Sequence, residues 1–235
     1  MNDRIEGLVL RISDYKDNDL MLQVLTKEHE ILSLIGKSSK KMTSKQHFFE
    51  ACLYEFIIDY KDTKTIYSIH GSKLIKSFYD VNNTLLFSFK NIFFEMILKS
   101  RGLIEKNSYE NTVFLLERIN DDNKYLLGSL FVSYMLELHG IKPNVDECVV
   151  CHGKKVVGIS NSLGGFLCLE HIGSAVIRDV VTLKKIRLIV KAHFKDYELI
   201  KNNNYNFNDF QILIEFFETN SYIELKTYHF YKNLI

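Results

Sequence analysis

Over the first third of the chain, apolar residues come in short runs separated by polar clusters, and several runs alternate at period two. Ile5 to Ile12 is apolar-rich and β-prone. Leu20, Leu22 and Val24 alternate with Met21, Gln23 and Leu25, and Ile31 to Ile35 forms a third run. Tyr54, Phe56, Ile58 and Tyr60 share one face at period two, and Ile66 to Ile69 supplies a fifth strand. Asp17-Asn18-Asp19, Lys27 to Glu30 and Asp62-Thr63 read as turns between them. Short strands following one another over residues 1–76 predict a small closed barrel of the OB type, because closure leaves no unpaired edge. The strand count alone also permits an SH3-like barrel.

From residue 77 the rhythm changes to helical. Phe78, Val81, Leu85, Phe89, Ile92 and Met96 recur every three or four positions, and Gly102 suits the end of that helix. Further helices are predicted at about Glu110 to Ile119 and Asp122 to His139, the latter with Leu127, Leu130, Tyr134 and Leu138 inward. Gly140 is placed to cap it, and Pro143 to stop it. Residues 146–173 break the pattern with Gly153, Gly158, Gly164 and Gly165, and read as a loop-and-hairpin insert. Helices resume at about Ile177 to Ile200, Asn208 to Phe217 and after Ser221, where Ser221-Tyr-Ile-Glu224 has the form of a capping box. The predicted class is α+β and multidomain: an OB-type barrel over 1–76, then a helical domain over 77–235 with an embedded zinc-ribbon-like loop.

Composition narrows the options. Hydrophobic residues make up 46% and charged residues 25%, which is globular. A net charge of +1 excludes a uniformly cationic nucleic-acid binder, so any contact with DNA must come from local patches. No long apolar run suggests a membrane span, and the N-terminal residues have no signal-peptide character, so a cytoplasmic address is expected. Four cysteines are too few for a disulfide scaffold.

Three of those cysteines belong to the strongest local signal, Cys148-Val-Val-Cys151 followed by Cys168-Leu-Glu-His171. Two pairs, each with two intervening residues, put four ligands on two tight turns, as in Cys₃His zinc sites. Four protein ligands close the coordination sphere, so the expected zinc is structural and supplies folding free energy to a loop with little core. Gly153, Gly164 and Gly165 let the backbone turn closely around sulfur. A redox pair is the alternative, and His152 is an alternative fourth ligand. Cys52, in a predicted strand, reads as a buried inert thiol.

Two basic features stand out. Gly36-Lys37-Ser-Ser-Lys40-Lys41-Met-Thr-Ser-Lys45 follows the third strand and contains no acid. Beside the binding face of an OB barrel, such lysines would track a phosphate backbone, with Arg11, Tyr15 and Lys16 nearby. An ordinary solvated loop is the alternative. Tyr54, Phe56, Tyr60 and Tyr67 could stack bases, although their one-sided alternation favours the barrel core. Lys184, Arg187, Lys191 and Lys195 form a basic stripe beside Ile186, Val190, Phe194 and Tyr197, which would suit an acidic peptide with a hydrophobic end. Snorkelling lysines on a surface helix are the competing reading.

The order of these parts resembles the RecO family. Gly7-Leu-Val-Leu-Arg11-Ile-Ser-Asp14-Tyr15-Lys-Asp-Asn18-Asp19 is similar to the family's opening strand and acidic turn. Leu25-Thr26, Leu32-Ser33 and Gly36-Lys37 follow as in its next strands and basic loop. Leu138-His-Gly140-Ile-Lys-Pro143-Asn-Val-Asp-Glu-Cys148 and Gly164-Gly165-Phe-Leu-Cys168 resemble the approach to, and the close of, its zinc loop. The resemblance implies an OB fold, a helical region with a zinc loop, binding of single- and double-stranded DNA, and annealing of complementary strands. It further implies action with RecR in loading RecA onto DNA coated by single-strand-binding protein, through contact with that protein's acidic, hydrophobic-ended tail. Zinc-bearing members often use four cysteines, where this chain has His171.

No P-loop, dinucleotide fingerprint, HExxH or GxSxG motif is present, which favours a binding role over an enzyme. The rivals are a zinc-ribbon interaction module of transcription or translation, without annealing activity, and an enzyme whose zinc keeps an open position.

Overall fold

The computed structural model describes residues 3–28, 31–44, 46–61, 64–79, 81–105 and 107–235. The predicted turns at residues 27–30 and 62–63 fall partly or wholly outside these, as does Lys45. The chain divides into two compact units, Met1–Glu117 with Phe230–Ile235, and Arg118–His229. The change from strands to helices at about residue 77 therefore lies within the first unit.

The first unit opens with β1 (Asp3–Tyr15), β2 (Asp19–Thr26), β3 (Ile31–Gly36), β4 (Cys52–Ile58) and β5 (Ile66–Ser77). They close in the order β1-β2-β3-β5-β4, with β4 returning to pair with β1. The parallel pairing of β3 with β5, Leu34 opposite Tyr67, decides the topology. A simple antiparallel meander of SH3 type has no such pair, so the barrel is of the OB type. Its interior is filled by the inward residues of the alternating runs: Val9, Leu22, Val24, Leu34, Tyr54, Phe56, Ile58 and Tyr67 are all buried. Burial of these side chains is the main force holding the strands in register, because a one-residue slip would turn every one of them to water.

Of the aromatic residues that could have stacked bases, Tyr54, Phe56 and Tyr67 are thus core residues, and the half-buried Tyr60 packs against them. Tyr54 and Phe56 lie 5.4 Å apart, each against Phe48, and Tyr60 stacks on Tyr67 at 5.0 Å. Burial pushes the Tyr54 phenol up to about 12. Cys52 is buried too, its Sγ 3.3 Å from Ser77 Oγ.

α1 (Thr84–Lys99) starts later than its apolar stripe suggested. Asn83 accepts from the Leu86 amide at 2.9 Å, which sets the start and leaves Val81 outside and exposed. α2 (Ser108–Arg118) is tied to β1 by Tyr109, whose hydroxyl donates to Glu6 Oε1 at 2.7 Å.

The second unit contains α3 (Lys124–Leu138), the hairpin β6 (Gly158–Ser160) with β7 (Gly165–Leu167), α4 (Val180–Lys191), the short α5 (Tyr197–Ile200) and α6 (Phe207–Ser221). α7 (Lys226–Lys232) follows. Gly140 ends α3 as anticipated. At φ +67 its amide donates to Glu137 O, and that of Ile141 donates to Leu136 O, the paired bonds of a Schellman cap.

Two expectations are corrected. The helix expected over Ile177 to Ile200 is broken. Asp179 accepts from the Thr182 amide, so α4 begins at Val180. Ala192 is extended, and His193 with Asp196 starts a separate short turn. The capping box at Ser221 does not start a helix either: α6 ends there, and Glu218 accepts from the Leu225 amide at 2.6 Å ahead of α7.

Candidate metal centre and nucleic-acid interface

The insert gathers its four metal-ligand candidates by local backbone bonds. The His152 amide donates to Cys148 O, the Cys148 amide to Gly153 O, and the His171 amide to Cys168 O, closing both turns. The β6–β7 hairpin brings the turns together. Gly165 is required there, because a Cβ would sit 2.3 Å from Asn144 O. The neighbouring Gly164, at φ +77, makes the preceding turn.

The donor atoms of Cys148, Cys151, Cys168 and His171 all lie within 4.8 Å of one another. Cys151 Sγ is 3.7 Å from Cys168 Sγ, and His171 Nδ1 is 3.8 Å from Cys148 Sγ and 3.2 Å from Cys168 Sγ. A tetrahedral zinc with bonds of about 2.3 Å to sulfur and about 2.0 Å to nitrogen separates its ligands by about 3.5–3.8 Å, so the set fits. The electrostatics fit as well. Burial raises the Cys148 thiol, but the amides of Cys151, Cys168 and Val150 outweigh it and bring the thiol down to about 6. Cys151 is held up: the Gly153 amide lowers it, but burial and the Cys168 and Cys148 sulfurs prevail. Three sulfurs this close cannot all ionise together without a cation, which a divalent ion would supply.

His152 is not part of this group. Its side chain is exposed and its Nδ1 lies 2.6 Å from Glu147 Oε1.

Residues of α4 brace the insert. Arg187 Nε donates to Val145 O at 2.6 Å and its guanidinium lies 5.5 Å from the Phe166 ring, while Lys191 pairs with Asp146. Lys184 and Lys195 remain exposed, Lys195 beyond the end of the helix. The structure therefore splits the basic stripe: two members point at the insert and two at solvent. Asp179 was the sequence signal that would have placed the helix start, since Asp is a preferred N-cap residue.

In the barrel unit, the structure brings four of the candidate basic residues, Lys16, Lys37, Lys40 and Lys41, to one end. The Ser38 amide donates to Asp19 Oδ1 at 2.8 Å, and the Lys40 amide to Asn18 O at 3.1 Å. The β3–β4 loop is thereby held against the β1–β2 turn. Lys37, Lys40 and Lys41 are exposed beside Lys16, which lies 5.4 Å from the half-buried Tyr15 ring. Lys40 also pairs with Asp14 at 3.0 Å. Arg11 is exposed further along β1, opposite Gln23 and about 13 Å from Tyr15 at strand rise. Asp14 and Asp19 organise the loop and, with the exposed Asp17 of the same turn, temper its charge, a role the sequence pattern did not reveal.

Residues 1–78, the barrel and its exit, match the family model described as Recombination protein O N terminal. Beyond the barrel, the likeness continues in curated relatives. The DNA repair protein RecO of Lactobacillus acidophilus is 26% identical over 179 residues, covering 71% of this chain and 69% of its own. Over most of its length the chain is similar to proteins of the RecO family. The RecO of Halalkalibacterium halodurans is 24% identical over 177 residues, covering 72% and 68% of the two chains. That of Bacillus cereus strain B4264 is 19% identical over 233 residues, covering 84% and 92%. No helix among the described residues is long and apolar enough to cross a membrane.

Proposed function

We propose that this chain is a mediator of DNA repair by homologous recombination. It binds single- and double-stranded DNA, anneals complementary strands, and with RecR helps load RecA onto DNA coated by single-strand-binding protein. The observation that carries the reading is the gathering of Lys16, Lys37, Lys40 and Lys41 at one end of a barrel that matches the RecO N-terminal family.

The role is mechanical. Lysines at the barrel end neutralise phosphates, with Arg11 and Tyr15 extending the contact and Lys45 in the same basic segment. Two strands held on one protein repel less and meet at a higher effective concentration, so pairing accelerates with no bond made or broken. Cys148, Cys151, Cys168 and His171 would hold a structural zinc, which when bound contributes folding free energy to the insert. The helical unit recruits the acidic tail of the coating protein, with Lys184 and Lys195 offering charge at its surface while Arg187 and Lys191 hold the insert in place. The site of action is the cytoplasm, at the nucleoid.

The test is annealing of complementary oligonucleotides, bare and coated, by the wild type and by a variant carrying Lys37→Glu, Lys40→Glu and Lys41→Glu. Annealing should fall at least tenfold in the variant while the far-ultraviolet spectrum is retained. Unchanged annealing would remove the loop from the mechanism.

A further inference from the structure

The barrel core takes up the rings of Tyr54, Phe56 and Tyr67, but the segment leading into β4 carries two more aromatic residues with opposite fates. Phe48 turns inward, 6% exposed, against Tyr54 and Phe56, while the next ring, Phe49, turns outward and is 57% exposed. An exposed phenylalanine is ordinary by itself. Its setting gives this one a use.

The backbone on both sides of Phe49 is fixed. Its own amide donates to Tyr54 Oη at 3.2 Å, the Ala51 amide donates to Val9 O at 2.9 Å, and Glu50 Oε1 accepts from the Ile12 amide at 2.7 Å. The segment therefore runs beside β1 beyond Val9, where the pairing of β1 with β4 stops. Phe49 and Arg11 each stand one residue from the Glu50–Ile12 contact, and both Arg11 and Ser13 are exposed there. At strand rise the step from Ile12 to Tyr15 is about 10 Å, which sets Phe49 a short length of strand away from Tyr15 and the lysine end.

We propose that Phe49 is a base-stacking residue that makes the barrel end prefer single-stranded over duplex DNA. A phenyl ring offers a π-face and no hydrogen-bonding group, so it recognises a base by its face and not by its identity. Arg11, Ser13 and His47 are exposed around it in the segment and on β1, polar company that suits a nucleotide and that an apolar protein surface would leave unpaired. In a duplex the base faces are already stacked on one another, and freeing one costs unstacking free energy. The contact is thus made to a strand and lost when that strand pairs, so the protein holds the strands and lets go of the duplex. The inference rests on the reading of the barrel end as the DNA contact. It adds to the phosphate contacts of Lys16, Lys37, Lys40 and Lys41 one that salt does not screen.

The test compares a labelled oligothymidine, an abasic strand of equal length and a duplex, by anisotropy with the full-length, zinc-loaded protein. Oligothymidine and the abasic strand carry the same phosphates, so the difference between them reads base contact alone. The wild type should bind oligothymidine at least about fivefold more tightly than the abasic strand, the lower end of what one stacked base contributes. Phe49→Ala should remove most of that preference and leave duplex affinity and the salt slope at wild-type values, because no phosphate contact is lost. Phe49→Tyr should keep the preference. The chain has no tryptophan, so Phe49→Trp supplies a single reporter, whose emission oligothymidine should quench far more than the abasic strand or the duplex does. Wild-type preference in Phe49→Ala, or equal quenching by all three probes, would overturn the proposal. A shallower salt slope in Phe49→Ala would overturn it as well, since the ring would then be placing lysines instead of holding a base. If the wild type binds none of the three probes, the DNA reading of the barrel end fails and takes this inference with it. If it binds oligothymidine and the abasic strand alike, only the stacking fails.

Discussion

The salt dependence of DNA binding offers the sharpest check on the barrel end, because the structure assigns different weights to its lysines. Each phosphate neutralised on single-stranded DNA contributes about 0.7 to the slope of log K against log salt. Lys37 and Lys41 are exposed, and among the described residues neither has a carboxylate within ion-pair distance, so each should count in full. Lys40 already holds Asp14 at 3.0 Å and must exchange that carboxylate for a phosphate, so it should count for less. Replacing Lys37 and Lys41 with Gln should lower the slope by about 1.4. Between about 50 and about 200 mM salt, the advantage of the wild type over this variant should shrink roughly sevenfold. Asp14→Asn should act in the opposite sense, freeing Lys40, steepening the slope and tightening binding at low salt. The assay is anisotropy of a labelled oligothymidine titrated at several salt concentrations. An unaltered slope in the double variant, or weaker binding by Asp14→Asn, would refute the assignment of this end of the barrel to DNA.

Three further outcomes follow from the packing. Phe56→Ala removes a fully buried ring packed against both Tyr54 and Phe48 and should cost about 3–5 kcal/mol in a urea melt of the barrel; a loss below about 1 kcal/mol would mean the core collapses around the gap. Gly165→Ala puts a Cβ 2.3 Å from Asn144 O, so the variant should lose tetrahedral thiolate absorption on cobalt substitution, and a wild-type spectrum would contradict the close approach. Burial holds His139 below its ordinary value of 6.5, so under that pH the unfolded chain takes up a proton that the folded chain refuses. Stability should therefore fall as pH drops below about 6.5, and His139→Gln should flatten that fall in thermal melts, where an unchanged profile would exclude His139 as the cause.

Much of this molecule was legible because its signals are local. Period-two alternation placed Tyr54, Phe56 and Ile58 inside a barrel, since alternate strand residues share a face whatever the strand pairs with. The Cys148–Cys151 and Cys168–His171 spacings marked the group that could hold a metal, because two intervening residues fix two donors on one turn. Gly140 marked a helix end for an equally local reason, its tolerance of positive φ.

What depended on residues far apart in the chain was decided only by the tertiary structure. The parallel pairing of β3 with β5 separated an OB barrel from other five-stranded closures. A bond between Asp19 and Ser38 brought Lys16 beside Lys37, Lys40 and Lys41. Arg187 and Lys191 looked like members of a solvated stripe until Val145, Phe166 and Asp146 took their side chains. Periodicity reports which face of an element avoids water. It carries no information about which partner covers that face, because the same burial energy is available from any apolar surface of suitable shape.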